Sequence, residues 1–299
     1  MAEKDSGFKG EYAEVNGIRL HYVSQGHGKL LMFVHGFPEF WYSWKAQLAE
    51  FGRDFQAVAL DMRGYNLSSK PKELREYTTE PLVEDLRSLA EYLGHRRFVL
   101  IAHDWGGAVA WYFANRHPDW LEKLIIINAP HMGVFARELA KNPEQQQASQ
   151  YMLFFRSPEA EKVLSANNYE ALWQAVTSSE SPAAFTDEDR RRYIEAWSQP
   201  GALTGGLNYY RAAAFAPPKL GEEAGPEAQS VVEDKESFMI NVPTMVIWGE
   251  KDTALRPGNL EGLEEYVPNL TIKRIPDGSH WVVHEQPDLV NSLIREFIE

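Results

Sequence analysis

The sequence predicts an α/β fold: a mostly parallel central sheet flanked by helices, interrupted by one mainly helical insertion. Three observations point there. Short β-branched runs alternate with helical patterns, the signature of parallel β–α–β units. Those runs are continuously apolar, as strands buried on both faces are. The rhythm stops from about Met132 to Met239 and resumes at Val242.

In chain order, Val15–Asn16–Gly17–Ile18 reads as a hairpin turn joining two early strands. Buried strands are expected at Leu30–Val34, then at 57–60, 98–102, 124–127 and 244–247, and a further strand, without an apolar run, at Leu270–Ile275. After Thr79, residues Leu82, Val83, Leu86, Leu89, Ala90 and Leu93 share one helical stripe that Gly94 ends. A second helix should start just after Asp104 and end before Pro118, and a last one runs from about Pro287. No internal repeat is found. The expected organisation is one core, 1–131 plus 240–299, with a helical cap at 132–239. Within that insertion, 215–236 is rich in Pro, Gly and Glu and reads as an irregular excursion. Such insertions often act as lids.

Composition narrows the function. A chain of 299 residues can bury a large core. Its formal charge of −13 argues against a broad basic footprint for nucleic acid or an anionic membrane. The one basic run, Arg190–Arg191–Arg192, follows Asp187–Glu188–Asp189 and reads as a solvated helix face. With no cysteine, disulfides, Cys-ligated zinc and a Cys nucleophile are impossible. The first residues are polar, and no window approaches ~18 uninterrupted apolar residues. A soluble, cytoplasmic protein is expected, and a homodimer is compatible with the sequence.

The chemistry starts at Ile101–Ala102–His103–Asp104–Trp105–Gly106–Gly107, where a buried strand meets a helix. Small residues there permit the tight turn of a nucleophile elbow, whose central residue in α/β-hydrolases is usually serine. Here it is Asp104, and a carboxylate is a competent nucleophile toward carbon. The plainer alternative is that Asp104 only caps the helix. His35–Gly36–Phe37–Pro38 follows another buried strand, so the backbone N–H groups of Phe37 and Trp105 could form an oxyanion hole. Asp252, after Trp248–Gly249–Glu250–Lys251, is placed to orient a histidine, and His280, after Asp277–Gly278–Ser279, to act as general base. Either could be structural: Asp252 as a cap, His280 as a core residue. The order nucleophile, acid, histidine at three strand ends is that of the α/β-hydrolase fold. His280 and His284 lie four apart, but no His-Glu-x-x-His pattern occurs, so no metal and no cofactor are expected.

Together these motifs resemble the epoxide hydrolase branch of the α/β-hydrolase family over nearly the whole chain. The resemblance rests on His35–Gly36–Phe37–Pro38–Glu39 with Trp41 and Trp44, on Asp61–Met62–Arg63–Gly64–Tyr65 through Ser68 and Pro71, and on the elbow. The family's two lid tyrosines, which bind the epoxide oxygen, match Tyr151 in Tyr151–Met152–Leu153–Phe154–Phe155 and Tyr210 in Leu207–Asn208–Tyr209–Tyr210–Arg211. Tyr209 reads as the packing neighbour. Two positions depart from the pattern: Asn66, where the family usually has glycine, and Arg156, where glutamine is frequent.

The resemblance implies an enzyme that opens a small apolar epoxide with water to a diol, through a covalent ester on Asp104. His280, oriented by Asp252, activates the water, and Tyr151 and Tyr210 assist the leaving oxygen. His35, Pro38, His103, Phe154 and Trp281 are the expected substrate pocket. The nearest rival is a haloalkane or haloacetate dehalogenase, which uses the same aspartate ester chemistry. Haloalkane dehalogenases usually place a second halide donor at the position of Phe37, and fluoroacetate dehalogenases an arginine at that of Trp105. Their acid often lies near Asn128, which cannot serve. A non-catalytic binding module is the remaining alternative, favoured if a triad member were missing.

Overall fold

A computed structural model describes residues 7–177, 184–214, 216–223, 225 and 234–299. The polar residues 1–6 and much of the expected excursion (215, 224 and 226–233) lie outside the described residues. The Asn16–Gly17 turn works as its residue types require. Both take left-handed conformations (φ 47° and 74°), the signature of a two-residue hairpin, and pair Val15 of β1 (Gly10–Val15) with Ile18 of β2 (Ile18–Gln25).

Six strands follow: β3 (Leu30–Val34), β4 (Gln56–Leu60), β5 (Phe98–His103), β6 (Leu121–Ile127), β7 (Thr244–Gly249) and β8 (Leu270–Ile275). The eight form one sheet in the order β1-β2-β4-β3-β5-β6-β7-β8. β2 runs antiparallel to β1 and β4, and all other neighbours are parallel. β3, β5 and β7 are buried at every position, which is why their sequences are unbroken apolar runs. β6 begins earlier than its apolar run, because Glu122 and Lys123 near its start are half-buried.

Helices α1 (Lys45–Phe51), α2 (Thr79–Tyr92) and α3 (Asp104–Arg116) cross between strands. The α2 stripe points inward as expected. The helix closes with Gly94 at φ 85° and the His95 amide donating to the Ala90 carbonyl. After the last strand come α10 (Val282–Glu285) and α11 (Pro287–Ile298).

Between β6 and β7 the regular elements among the described residues are all helices, chiefly α4 (Met132–Lys141), α5 (Pro143–Ala148), α6 (Tyr151–Arg156), α7 (Ala160–Thr177), α8 (Asp187–Trp197) and α9 (Ala202–Ala212). α7 is broken at Asn167, Asn168 and Tyr169, all left-handed (φ 50°, 57° and 62°). α8 opens with a capping box between Thr186 and Asp189. Its basic run is only partly a solvated face. Arg191 is exposed and Arg190 half-buried and paired with Glu170, whereas Arg192 is buried, paired with Glu188 and stacked over the Tyr42 ring. These helices are tied to the sheet end by polar contacts. Lys45 pairs with Asp189, the Trp197 indole donates to the Pro38 carbonyl (2.5 Å), and the Tyr209 hydroxyl donates to the Arg63 carbonyl (2.8 Å). No helix among the described residues is long and apolar enough to cross a membrane.

Candidate active site

The strand-to-helix junction after His103 puts Asp104 at φ 50°, a conformation few non-glycine residues adopt, at the head of α3. Close packing holds it there. A Cβ on Gly106 would lie 2.4 Å from the main-chain oxygens of Val34 and His35, so the helix presses directly on the end of β3. A Cβ on Gly36 would lie 2.1 Å from Asp104 Oδ1. Glycine there lets the loop after β3 reach the carboxylate, and the Phe37 N–H donates to Oδ1 at 2.7 Å. The Trp105 amide lies in the first turn of α3, where amides have no partner within the helix.

His280 faces the other oxygen: its Nε2 is 3.6 Å from Asp104 Oδ2, and its Nδ1 is 2.7 Å from Asp252 Oδ2. Asp252 is held in turn. Its Oδ1 accepts the amides of Ala254 (2.9 Å) and Leu255 (2.8 Å), and its Oδ2 accepts Asn128 Nδ2 (2.8 Å). Asn128, itself left-handed at φ 40°, also takes the Gly249 amide on its Oδ1, so the end of β6 braces the end of β7. Burial works against a charge on His280. The Asp252 carboxylate outweighs it, with help from Asp104 and Glu39, and the imidazole is pushed up to about 9. Burial likewise opposes ionisation of Asp252, but the His280 charge and its hydrogen bonds hold it below the usual carboxylate range. Asp104 and His280 keep 12% and 13% of their side chains accessible, enough for a small molecule to touch both.

Three residues expected in the substrate pocket stand behind it instead. His35 is fully buried, with Nδ1 against the Gly36 carbonyl (2.8 Å) and Nε2 accepting the Met62 amide (3.0 Å), so it shapes the loop. Pro38 is buried and joined to Phe37 by a cis peptide. The buried His103 ring lies 4.7 Å from that of His280; its Nε2 meets the His280 carbonyl at 2.8 Å and its Nδ1 meets Glu39 at 3.2 Å. Glu39 is the residue whose role the sequence reading missed. Its buried carboxylate also takes His284 Nε2 (2.5 Å) and the Tyr193 hydroxyl (2.8 Å). Burial would raise it, but His284 and His103 hold it well below its ordinary range. The signal was a lone acid inside the apolar run 37–44, which must find partners within the protein. Nearby, Asn66 takes φ 37° and donates to Asp61 (2.8 Å), whose carboxylate also takes His21 Nδ1 (2.6 Å) and the Trp41 amide (3.0 Å). Where the family usually has glycine, asparagine tolerates the same left-handed turn and adds a hydrogen bond.

Tyr151 opens α6 and Tyr210 sits near the end of α9, their rings 6.1 Å apart. Burial above all pushes both phenols upward, helped by the Asp104 carboxylate for Tyr151 and by Tyr151 and then Asp104 for Tyr210, so both keep their protons. The Trp105 side chain hydrogen-bonds Tyr210, and the two rings meet edge-on at 5.1 Å. Phe155, four residues after Tyr151 and on the same helix face, touches Phe37 (5.2 Å), Tyr151 (5.3 Å) and Tyr210 (4.9 Å). Phe154, the ring expected there, is half-buried like Phe155 and touches it at 5.8 Å. Trp281 packs on His280 (4.8 Å) and donates its indole N–H to the Ala175 carbonyl (3.0 Å). Among the described residues no group of three or more His, Asp or Glu could hold a metal, and His280 and His284 each face a carboxylate.

The family model described as alpha/beta hydrolase fold matches residues 29–287. Epoxide hydrolase 4 of Mus musculus is 38% identical over 295 residues, covering 95% of this chain and 77% of that protein. The AB hydrolase superfamily protein YfhM of Bacillus subtilis (strain 168) is 39% identical over 297 residues, covering 98% and 99%. In three dimensions the chain is similar to a Bacillus megaterium epoxide hydrolase solved in complex with an inhibitor, at TM-score 0.86 and 39% identity, covering 96% of this chain and 99% of the other.

Proposed function

Since this chain belongs to the alpha/beta hydrolase fold family, we propose that it is an epoxide hydrolase that converts an epoxide to a vicinal diol through a covalent ester on Asp104. One observation carries the mechanism. A carboxylate stands at the elbow, with His280 on one oxygen, the Phe37 amide on the other, and two protonated phenols nearby.

Asp104 Oδ2 attacks a ring carbon and the C–O bond breaks. Tyr151 and Tyr210 donate to the departing oxygen, which would otherwise leave as a poorly stabilised alkoxide. His280, protonated at rest, replenishes the phenol and becomes neutral. Ester formation also removes the charge on Asp104, one of the carboxylates that keeps His280 protonated. Neutral His280 then deprotonates a water that attacks the Asp104 carbonyl carbon. Oδ1 carries the resulting charge, stabilised by the amides of Phe37 and Trp105. The ester bond breaks, the proton left on the rebuilt carboxylic acid goes to the diol oxygen, and the resting pair of charges returns.

Residues 132–239 serve as the cap over a core of 1–131 and 240–299. Phe37, Phe155, Trp105 and Trp281 give an apolar lining that suits a small apolar epoxide. A cytoplasmic location fits a chain without cysteine, and cell fractionation tests it. The dehalogenase alternative is less well supplied: position 37 offers a phenyl ring without a donor, and the Trp105 indole is engaged with Tyr210. Diol formation from aryl and alkyl epoxides, measured beside halide release from haloalkanes and haloacetate, separates the two. Diol without halide, lost in Asp104→Ala, is expected. His280→Gln should let the alkyl ester accumulate, visible as a substrate-sized increment in intact mass.

A further inference from the structure

The two phenols sit on separate helices, and their relative placement depends on how α6 and α9 are joined. The last residue of α6 is Arg156. Its Nε donates to the main-chain carbonyl of Tyr210 itself (2.8 Å), and its Nη2 donates to the Ala213 carbonyl (2.7 Å). The contact is reciprocated. Arg211, next to Tyr210, donates to the carbonyl of Ser157, next to Arg156, at 3.1 Å, and makes a two-point ion pair with Glu161 (2.6 and 2.7 Å).

The physical reason for two arginines is plain. α6 and α9 bring their C-terminal ends together, each with carbonyls that have no partner within the helix and with the negative end of its dipole. Left alone, those ends would repel and hold the helices apart. A planar guanidinium supplies donors in a fixed fork, so it sets the spacing as well as neutralising the charge. Glutamine, frequent at position 156 in the family this chain resembles, has no charge and a shorter, less directional reach.

We propose that Arg156 is a positioning residue for epoxide opening: by holding the Tyr210 peptide against the end of the helix that begins with Tyr151, it fixes the distance between the two hydroxyl donors. This rests on the reading of Tyr151 and Tyr210 as those donors. Arg156 acts only in the first half-reaction, since water attack on the ester uses His280, Asp252 and the backbone amides.

Single-turnover stopped-flow with styrene oxide, followed by tryptophan fluorescence and by acid quench of the alkyl-enzyme, resolves the two half-reactions. Arg156→Met is expected to slow alkylation by about tenfold, the scale of a small misplacement of a reacting group, and to leave ester hydrolysis unchanged. In a Tyr210→Phe background the same substitution should cost less than about twofold, because the group it positions is already gone. Equal slowing of both half-reactions overturns the proposal, as does an undiminished loss in the Tyr210→Phe background. If Arg156→Met does not fold, Arg156→Gln serves in both backgrounds, with a smaller loss expected on alkylation alone. Tyr210→Phe by itself distinguishes the levels: unimpaired alkylation in that variant overturns the donor reading, whereas impaired alkylation with a silent Arg156 variant overturns only the role of Arg156.

Discussion

Replacing Asp104 by asparagine removes one charge and almost no volume, which makes it a direct probe of what keeps His280 protonated. The sign follows from the geometry. An anion 3.6 Å from Nε2 stabilises the imidazolium, so its loss must lower the His280 midpoint from about 9. At that distance the interaction is about 1 kcal/mol in a water-like medium and about 5 kcal/mol at an effective dielectric of ~20. At about 1.4 kcal/mol per pH unit, the midpoint should drop by about one to three pH units. Asp252 remains and keeps the drop from going further. Proton NMR of the imidazole Cε1–H as a function of pH reads this directly, with His280→Gln identifying the resonance among nine histidines. The same arithmetic applies to the proposed intermediate, because an ester on Asp104 is as neutral as an amide. Hydrolysis of the ester should therefore speed up with rising pH through a midpoint well below that of the resting enzyme. An unchanged or higher midpoint in Asp104→Asn would refute the idea that forming the ester prepares the base.

Substitutions at three further positions test the frame around the site. Gly36→Ala puts a methyl 2.1 Å from Asp104 Oδ1; diol production should fall by about a hundredfold with the circular dichroism spectrum retained, and near-normal turnover would show that the loop can yield. Glu39→Gln leaves His103 and His284 without their shared anion and should destabilise the fold by about 3 kcal/mol at neutral pH. Because Glu39 is held well below its ordinary value of 4.5, that stabilisation is present above 4.5 and is lost as pH falls through the lower folded value, so the gap in Tm between wild type and variant should narrow in acid. A gap independent of pH would contradict this. Asn66→Ala should cost about 1–2 kcal/mol in urea unfolding, from the left-handed backbone and the lost bond to Asp61, whereas Asn66→Gly should lie closer to wild type.

The candidate elbow and acid were legible because each follows an unbroken apolar strand, Asp104 directly after β5 and Asp252 three residues after β7, whereas the candidate base follows the mixed, half-buried β8 and was legible from its order in the chain. β1 and β2 were less so: their burial is intermittent, and only the turn between them carries a strong local signal. What stayed hidden depends on contacts between distant segments. Asn128 was legible only as a residue that cannot be the acid; that it braces the acid requires β6 and β7 to be neighbours. Glu39 joins residues 64, 154 and 245 positions away, and no periodicity encodes such a junction. Phe155 could have been found from helical spacing, since it shares a face with Tyr151, but the choice between adjacent phenylalanines needs the start of α6 to be known. The left-handed break at 167–169 has no glycine to announce it.

Under the proposed mechanism the Phe37 amide would give the two oxygens of Asp104 different histories. Oδ1 is tied to the backbone and would stay with the chain from its synthesis onward, while Oδ2, the one left free to attack, would depart inside each diol and be replaced from water. The side chain is thus a reagent, half permanent and half renewed. In heavy-oxygen water the first diol leaves with an ordinary oxygen taken from the protein. The protein gains a single heavy atom at that moment, and no number of later turnovers adds a second.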